Sequence, residues 1–347
     1  MVIAKIAPLY YNSPMDWRIL GHQWAVELLA QHAAHGGLRH AYLFTGPSGV
    51  GRRTLALRLA QSVNCLQPPV PGQPCGVCST CTRLEKMQHP DLALIQAEQA
   101  GGTLKVEQVC DLQRSLSLAP YEANYRIALL LRFEEAHASA ANALLKTLEE
   151  PAPKVLLLLT AESVESLLPT IVSRCEVLRL RPLPVADAAE GLQGWGIPAA
   201  EAQLLAHLSG GRPGYARRLH ERPELLEQRQ GWLNELVSLL GSSRLERFAY
   251  ARAAAKAASE DREALRTCLQ VWSSFWRDVV LAASGAAAPL TNLDRAAHIE
   301  KLASGLGLEK ARQVLERTEQ TLALIDRNVN LRLALENLML DLPRERM

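Results

Sequence analysis

A parallel α/β sheet followed by helical domains is the fold class this sequence predicts, and three observations predict it. Up to about Arg181, apolar runs of strand length alternate with segments of helical period. The longest of those runs, IALLL (Ile127 to Leu131) and VLLLL (Val155 to Leu159), are apolar throughout, the pattern of strands buried on both faces of a sheet, while EVLRL alternates. After RPLP (Arg181 to Pro184), Ala, Leu, Glu and Arg dominate and helical periodicity is the only pattern left.

The elements follow in order. Val26, Leu29, Ala30 and Ala33 share one face of a first helix. AYLFT (Ala41 to Thr45) has the composition of a buried strand, and a Gly-rich turn leads from it into a helix with Ala56, Leu59, Ala60 and Val63 on one side. RIALLL, VLLLLT and EVLRL (Glu176 to Leu180) supply further strands, with a helix around NALLKTLEE. Beyond Pro184, the Gly/Pro punctuation SGGRPG (Ser209 to Gly214) ends one helix pair and begins another, and AYARAAAKAA reads as helix. A small helical bundle to about Pro223 and a larger one after it are expected, which suits 347 residues, the length of two or three domains.

Composition excludes several functions. With 48% apolar and 21% charged residues the chain has a globular balance, and a net charge of +2 excludes a strongly basic nucleic-acid coat or an acidic tail protein. No apolar run approaches the roughly 18 residues of a membrane span. The opening MVIAKIAPLYYNSP has neither the apolar stretch nor the cleavage pattern of a secretory signal. A cytoplasmic protein is expected, in which seven cysteines argue for metal or free thiols over disulfides.

GPSGVGRRT, Gly46 to Thr54, has the strand–loop–helix setting and the Gly46/Gly51 spacing of a phosphate loop, with Gly49 between them. In a working loop, backbone N–H groups cradle phosphates, a Lys reaches the β/γ oxygens and a Ser/Thr hydroxyl holds Mg²⁺. Here those last two positions are Arg52 and Arg53, so a cation stands where a divalent cation should be ligated. Thr54 is one residue late, which turns its side chain by about 100° around a helix. The acid expected at the end of a neighbouring strand is missing too: that strand runs out into Leu131, Arg132 and Phe133, and Glu134 and Glu135 come late. The expectation is a loop that does not hydrolyse ATP with Mg²⁺. Binding without turnover, or glycines that merely allow a tight turn, are the other readings.

Cys65 and, after nine residues, Cys75-x2-Cys78-x2-Cys81 lie in a Pro/Gly-rich stretch. Four thiolates at this spacing suit tetrahedral Zn²⁺ in a closed, structural site of about residues 65–81. His89, in His-Pro-Asp, is a possible substitute ligand but reads as part of a turn, and free thiols are the bland alternative. Cys110, Cys175 and Cys268 are isolated and expected to be buried.

With these pieces in order, the chain resembles the delta-prime branch of the bacterial DNA polymerase III clamp-loader family, of the AAA+ class. The resemblance rests on LGHQ (Leu20 to Gln23), RHAYLFTGPSGVG, the four-cysteine insert, QHPD (Gln88 to Asp91), LSLAPYEANYRIALL, ANALLKTLEEP (Ala141 to Pro151), SRC (Ser173 to Cys175) and NVNLRLALENLML (Asn328 to Leu340). It implies a RecA-like AAA+ domain with a zinc module over 1–182, a helical lid over 183–223 and a helical collar over 224–347. It also implies a hetero-oligomeric ring with motor subunits and a delta subunit, acting on a sliding clamp and primed DNA, with no membrane. Motor subunits of the family keep the loop lysine and the acidic strand end, and delta-prime subunits commonly do not. Where the motor lid offers an arginine to the nucleotide, this chain has Gly214, with Arg212 near.

Two motifs carry more. On residues alone, Arg174 is a cation at the end of the helical turn PTIVSR, favoured there by the helix dipole. The family resemblance implies more: an arginine finger, flanked by Ser173 and Cys175, that enters the adjacent subunit's ATP site. In ANALLKTLEEP, Ala141, Leu144, Leu145 and Leu148 form a core face, and Asn142, Lys146, Glu149 and Glu150 remain for solvent, DNA phosphate or a neighbour. Two other functions compete with a silent ring subunit. One is an ATP-driven motor using Arg52 in place of Lys; the other is a zinc-ribbon nucleic-acid binder, against which near-neutral charge and 5% aromatics count.

Overall fold

The computed structural model describes residues 17–98, 102–325 and 330–344. The chain divides into two compact units, Met1–Asp187 with Arg212–Gly214 and Ala188–Gly211 with Tyr215–Met347. The first motif residues of the last helix, Asn328 and Val329, lie outside the described residues.

In the first unit, β1 (Ala41–Thr45) and β4 (Val155–Ala161) are buried along their whole length. Runs so apolar can sit only in the middle of a sheet covered on both faces. With β2 (Leu92–Ile95), β3 (Arg126–Leu130) and β5 (Glu176–Arg179) they form a five-stranded sheet in the order β2-β3-β4-β1-β5, with every pairing parallel. Leu43 pairs with Leu159 on one side and Val177 on the other. Alternate residues of each strand feed two cores. Tyr42, Phe44, Leu129 and Leu158 pack with α1 (Gln23–His35) and α2 (Arg52–Asn64). Leu43, Leu130 and Leu159 pack on the other face with α4 (Val106–Leu116), α5 (Ala138–Glu149) and α6 (Pro169–Val172). A short α3 (Ser79–Glu85) follows the cysteine loop.

The doubly wound α/β class expected from the sequence is what forms. β2, which the sequence reading did not single out, is an edge strand of four half-buried residues. Too little apolar pattern marks so short an edge.

QHPD turns out to be joinery. Asp91, 1% exposed, accepts backbone N–H bonds from Tyr121, Glu122 and Ala123 at 2.6, 2.9 and 3.0 Å, tying the segment before β3 to the start of β2. Asn64, at the end of α2, brackets Tyr125 from the other side through Tyr125 N–H and Tyr125 C=O.

The second unit is helical: α7 (Val185–Gly194), α8 (Ala199–Leu208), α9 (Pro213–Glu221), α10 (Pro223–Gly241), α11 (Arg244–Ala257), α12 (Arg262–Ala283), α13 (Ala296–Ile325) and α14 (Leu331–Asp341), with the ends of α7 and α9 that fall in the first unit excepted. α13 is broken at Gly307, whose φ of 73° leaves the helix. Trp272, Phe275 and Trp276 of α12 centre the largest core. Arg247 is buried there with carbonyls in place of a carboxylate: its guanidinium donates to Leu239, Leu240, Met339, Leu342 and Pro343 oxygens at 2.7–3.2 Å. These are the free carbonyls at the ends of α10 and α14, which one cation satisfies together. Among the described residues no helix is long and apolar enough to cross a membrane.

Two stability predictions follow from this joinery. Arg247→Leu strips the carbonyls of their donor and is expected to cost about 2–4 kcal/mol, read as a lower urea midpoint. For Asp91, burial works to raise the carboxyl pKa, but the three amides and His89 outweigh it and hold it below the ordinary 3.8. A depressed carboxyl stabilises the fold above its unfolded value and loses that contribution as pH falls through the folded one. Asp91→Asn should therefore be less stable than the parent chain at pH 7 by about 1–3 kcal/mol, and the gap in melting midpoint should shrink below pH 3.8.

Candidate functional site

The C-terminal end of β1 opens into the loop Gly46–Gly51, and the chain turns there through three glycines with φ of 141°, 84° and 114° at positions 46, 49 and 51. Glycine is required at 46, because a Cβ there would meet the Leu180 carbonyl oxygen at 2.3 Å. The loop is pinned from outside. Gly46 N–H donates to Ala161 and Glu162 oxygens, His22 of the LGHQ motif donates from Nε2 to the Val50 carbonyl at 3.0 Å, and Gly214 N–H donates to the Gly49 carbonyl at 2.9 Å. Arg212 Nη1 reaches the Ser48 oxygen at 3.3 Å. Burial lowers the His22 pKa, and the hydrogen bond to the Val50 carbonyl opposes that lowering.

Arg52, at the lysine position, is not aimed into open space. It is 9% exposed, and its Nη1 is buried without a hydrogen-bond partner. Burial lowers its pKa, and the charges of Glu134 and Glu162 oppose that lowering. Glu134 had looked too late in sequence to belong here. After β3, however, Arg132 takes a left-handed conformation (φ 51°), its N–H donates to Thr160 Oγ1, and a 3-10 turn over Phe133–Glu135 returns Glu134 towards α2. Burial pushes the Glu134 carboxyl up while Arg52 pulls it down. Nothing in the sequence pattern signals Glu162; it joins the group because it follows β4. Arg53 and Thr54 are exposed on the first turn of α2.

The SRC motif lies at the end of α6. Ser173 N–H and Arg174 N–H close the last turn onto Pro169 and Ile171 oxygens, so the motif is the helix terminus itself. Arg174 Nη1 donates to the Thr170 carbonyl at 2.8 Å, and Nη2 donates to Glu149 Oε1 at 2.6 Å. A third of the Arg174 side chain stays exposed. Burial pushes the Cys175 thiol up to about 12, so it is an inert packing group. In α5, Leu144 and Leu148 are fully inside, Leu145 partly so, and Lys146 is exposed.

The four cysteines converge. Cys65 caps the end of α2, Cys78 caps the start of α3, and the sulfurs of Cys65, Cys75, Cys78 and Cys81 all lie within 4.8 Å of one another. Zn–S bonds of 2.3 Å in a tetrahedron would set sulfurs about 3.8 Å apart, and Cys75 and Cys81 are 4.0 Å apart. Backbone N–H groups of Cys75, Cys78 and Cys81 point at the sulfurs of Cys65, Cys75 and Cys78 at 3.3–3.4 Å. Burial works to raise the Cys75 thiol, but the N–H groups of Cys78 and Val77 and the neighbouring thiols bring it to about 6. Such a group could hold a metal ion. His89 is not in it: its Nδ1 accepts Asp91 N–H and its Nε2 lies 3.2 Å from Glu122. The loop is fastened to the sheet domain at Gly72, whose carbonyl accepts from Trp17 Nε1 and Ser62 Oγ.

Comparison with known proteins agrees with these motifs. A family model described as "DNA polymerase III, delta subunit" matches residues 21–184, and one described as "DNA polymerase III, delta subunit, C terminal" matches 223–344. A DNA polymerase III subunit delta' of Pseudomonas aeruginosa is 38% identical over 202 residues, 57% of this chain and 61% of that protein. The Bacillus subtilis subunit delta' is 35% identical over 184 residues, 53% of this chain and 55% of that one. The tau subunit of Salmonella typhimurium is 35% identical over 175 residues, 50% of this chain and 27% of its own. The match thus spans little more than half the length of the two delta' relatives. A solved gamma-subunit-related protein of Thermotoga maritima covers 91% of this chain and 97% of its own at 16% identity, with a TM-score of 0.40. On the two family models and the delta' relatives together, the chain belongs to the DNA polymerase III delta-prime family.

Proposed function

We propose that this chain is the non-motor delta-prime subunit of a DNA polymerase III clamp loader, helping to place a sliding clamp on primed DNA in the cytoplasm. Its partners are the ATPase motor subunits and the delta subunit of a hetero-oligomeric ring. Its own phosphate loop is silent, and Arg174 acts in trans at the ATP site of the adjacent motor subunit. Membership of the family supports the role, and one observation carries the silence of the loop. The cation at the lysine position, Arg52, is buried, and the carboxylates of Glu134 and Glu162 act on its charge. Arg53, at the position of the Mg²⁺-holding hydroxyl, brings a positive charge where a cation would bind.

Arg174 suits a finger because its guanidinium is fixed on one side and open on the other. The near-neutral chain needs no DNA-binding charge of its own if the ring supplies it. We read the sheet domain as 1–182, with a helical lid at 183–223 and a collar at 224–347. The first family model ends at 184 and the second begins at 223, which supports a separate lid between them. The cysteine group is a structural zinc site, supported by its closed set of four sulfurs and by the amides that favour thiolates.

In a reconstituted loader, Arg174→Ala is expected to slow hydrolysis at the adjacent site by roughly 10³-fold and to impair clamp loading, measured by DNA-stimulated ATPase. The isolated chain should show no Mg²⁺-dependent turnover; turnover would favour the motor reading. Metal analysis should return about one zinc per chain, and Cys75→Ser should release it and lower the melting midpoint.

A further inference from the structure

The two most distinctive motifs of the chain meet in one ion pair. Glu149 is the last residue of α5 and belongs to ANALLKTLEEP; Arg174 belongs to SRC, 25 residues on. Their charged atoms are 2.6 Å apart. We infer that Glu149 is a positioning residue for Arg174, holding the guanidinium in the orientation in which it meets the neighbouring subunit's ATP. The inference rests on the trans role proposed for Arg174.

The geometry argues for orientation over stability. Glu149 has half of its side chain exposed and Arg174 a third, so the pair is reached by solvent and contributes little to folding. Its two ends are nevertheless rigid. Leu148, next to Glu149, and Ile171, in the helical turn that carries Arg174, are both buried in the same core on one face of the sheet. A free arginine side chain samples many rotamers and must lose that freedom when it engages a phosphate. Here Nη1 is tied to the Thr170 carbonyl and, at 3.4 Å, to Ser173 Oγ, while Nη2 is tied to Glu149. The planar fork thus has one edge fixed by the protein, and its remaining donors stay available to a partner. Preorganisation of this kind speeds a step without strengthening ground-state binding. It also gives Glu149 a task that its helix alone does not require, because the core face of α5 is complete without it.

The test uses the reconstituted loader with Glu149→Ala, Glu149→Gln, Arg174→Ala and the Glu149→Ala/Arg174→Ala double variant. The readouts are kcat and KM for ATP in DNA-stimulated hydrolysis, with ring assembly checked by gel filtration. Glu149→Ala should lower kcat at the adjacent site roughly tenfold, leaving KM and assembly unchanged. Glu149→Gln, which keeps an acceptor at Oε1, should restore most of the loss. The double variant should be no slower than Arg174→Ala. An unchanged kcat in Glu149→Ala beside a slowed Arg174→Ala would overturn the positioning role alone. A faster Glu149→Ala would overturn it in favour of a restraining latch. An Arg174→Ala loader with full activity would remove the finger, and the positioning role with it.

Discussion

Everything in the sheet domain depends on the parallel pairing of β1 with β4. Both strands are apolar on both faces, so the pair can be satisfied only at the centre of a sheet with helices above and below. That placement fixes the C-terminal ends of the strands at one edge. The phosphate loop leaves β1 there, the Arg132–Glu135 turn leaves β3, and Glu162 follows β4. The loop and its surroundings are assembled by this constraint before any particular side chain is chosen.

On that frame several motif residues are engaged by the fold itself. Arg52 is buried, which works against its charge, and the carboxylates of Glu134 and Glu162 work to keep it. QHPD and LGHQ, two of the stretches that carry the family resemblance, act as fasteners: Asp91 gathers three amides, and His22 holds a loop carbonyl. Arg174, at the end of α6, keeps a third of its side chain exposed.

The legible and illegible parts of the chain separate along physical lines. Central strands announced themselves because burial on both faces leaves an uninterrupted apolar run, and Cys65 with the three spaced cysteines announced their convergence because thiols so dense have few other uses. β2 stayed hidden because an edge strand of four residues needs little apolar surface. Glu134 was misjudged because linear distance from β3 says nothing of a left-handed residue that folds the chain back; Arg132 has no sequence mark of that conformation. The partnership of Glu149 with Arg174 was equally invisible, since two charged residues on separate elements each read as solvated on their own.

Gly214 approaches the phosphate loop so closely that a Cβ there would stand 2.9 Å from the Gly49 carbonyl oxygen. Loop backbone occupies the volume that a Cβ would need, and the Gly214 N–H donates to the Gly49 carbonyl there. An arginine placed at 214 would have to displace the backbone of the phosphate loop. A side chain at 214 is therefore coupled to the course of the loop backbone, and the two positions can change only together.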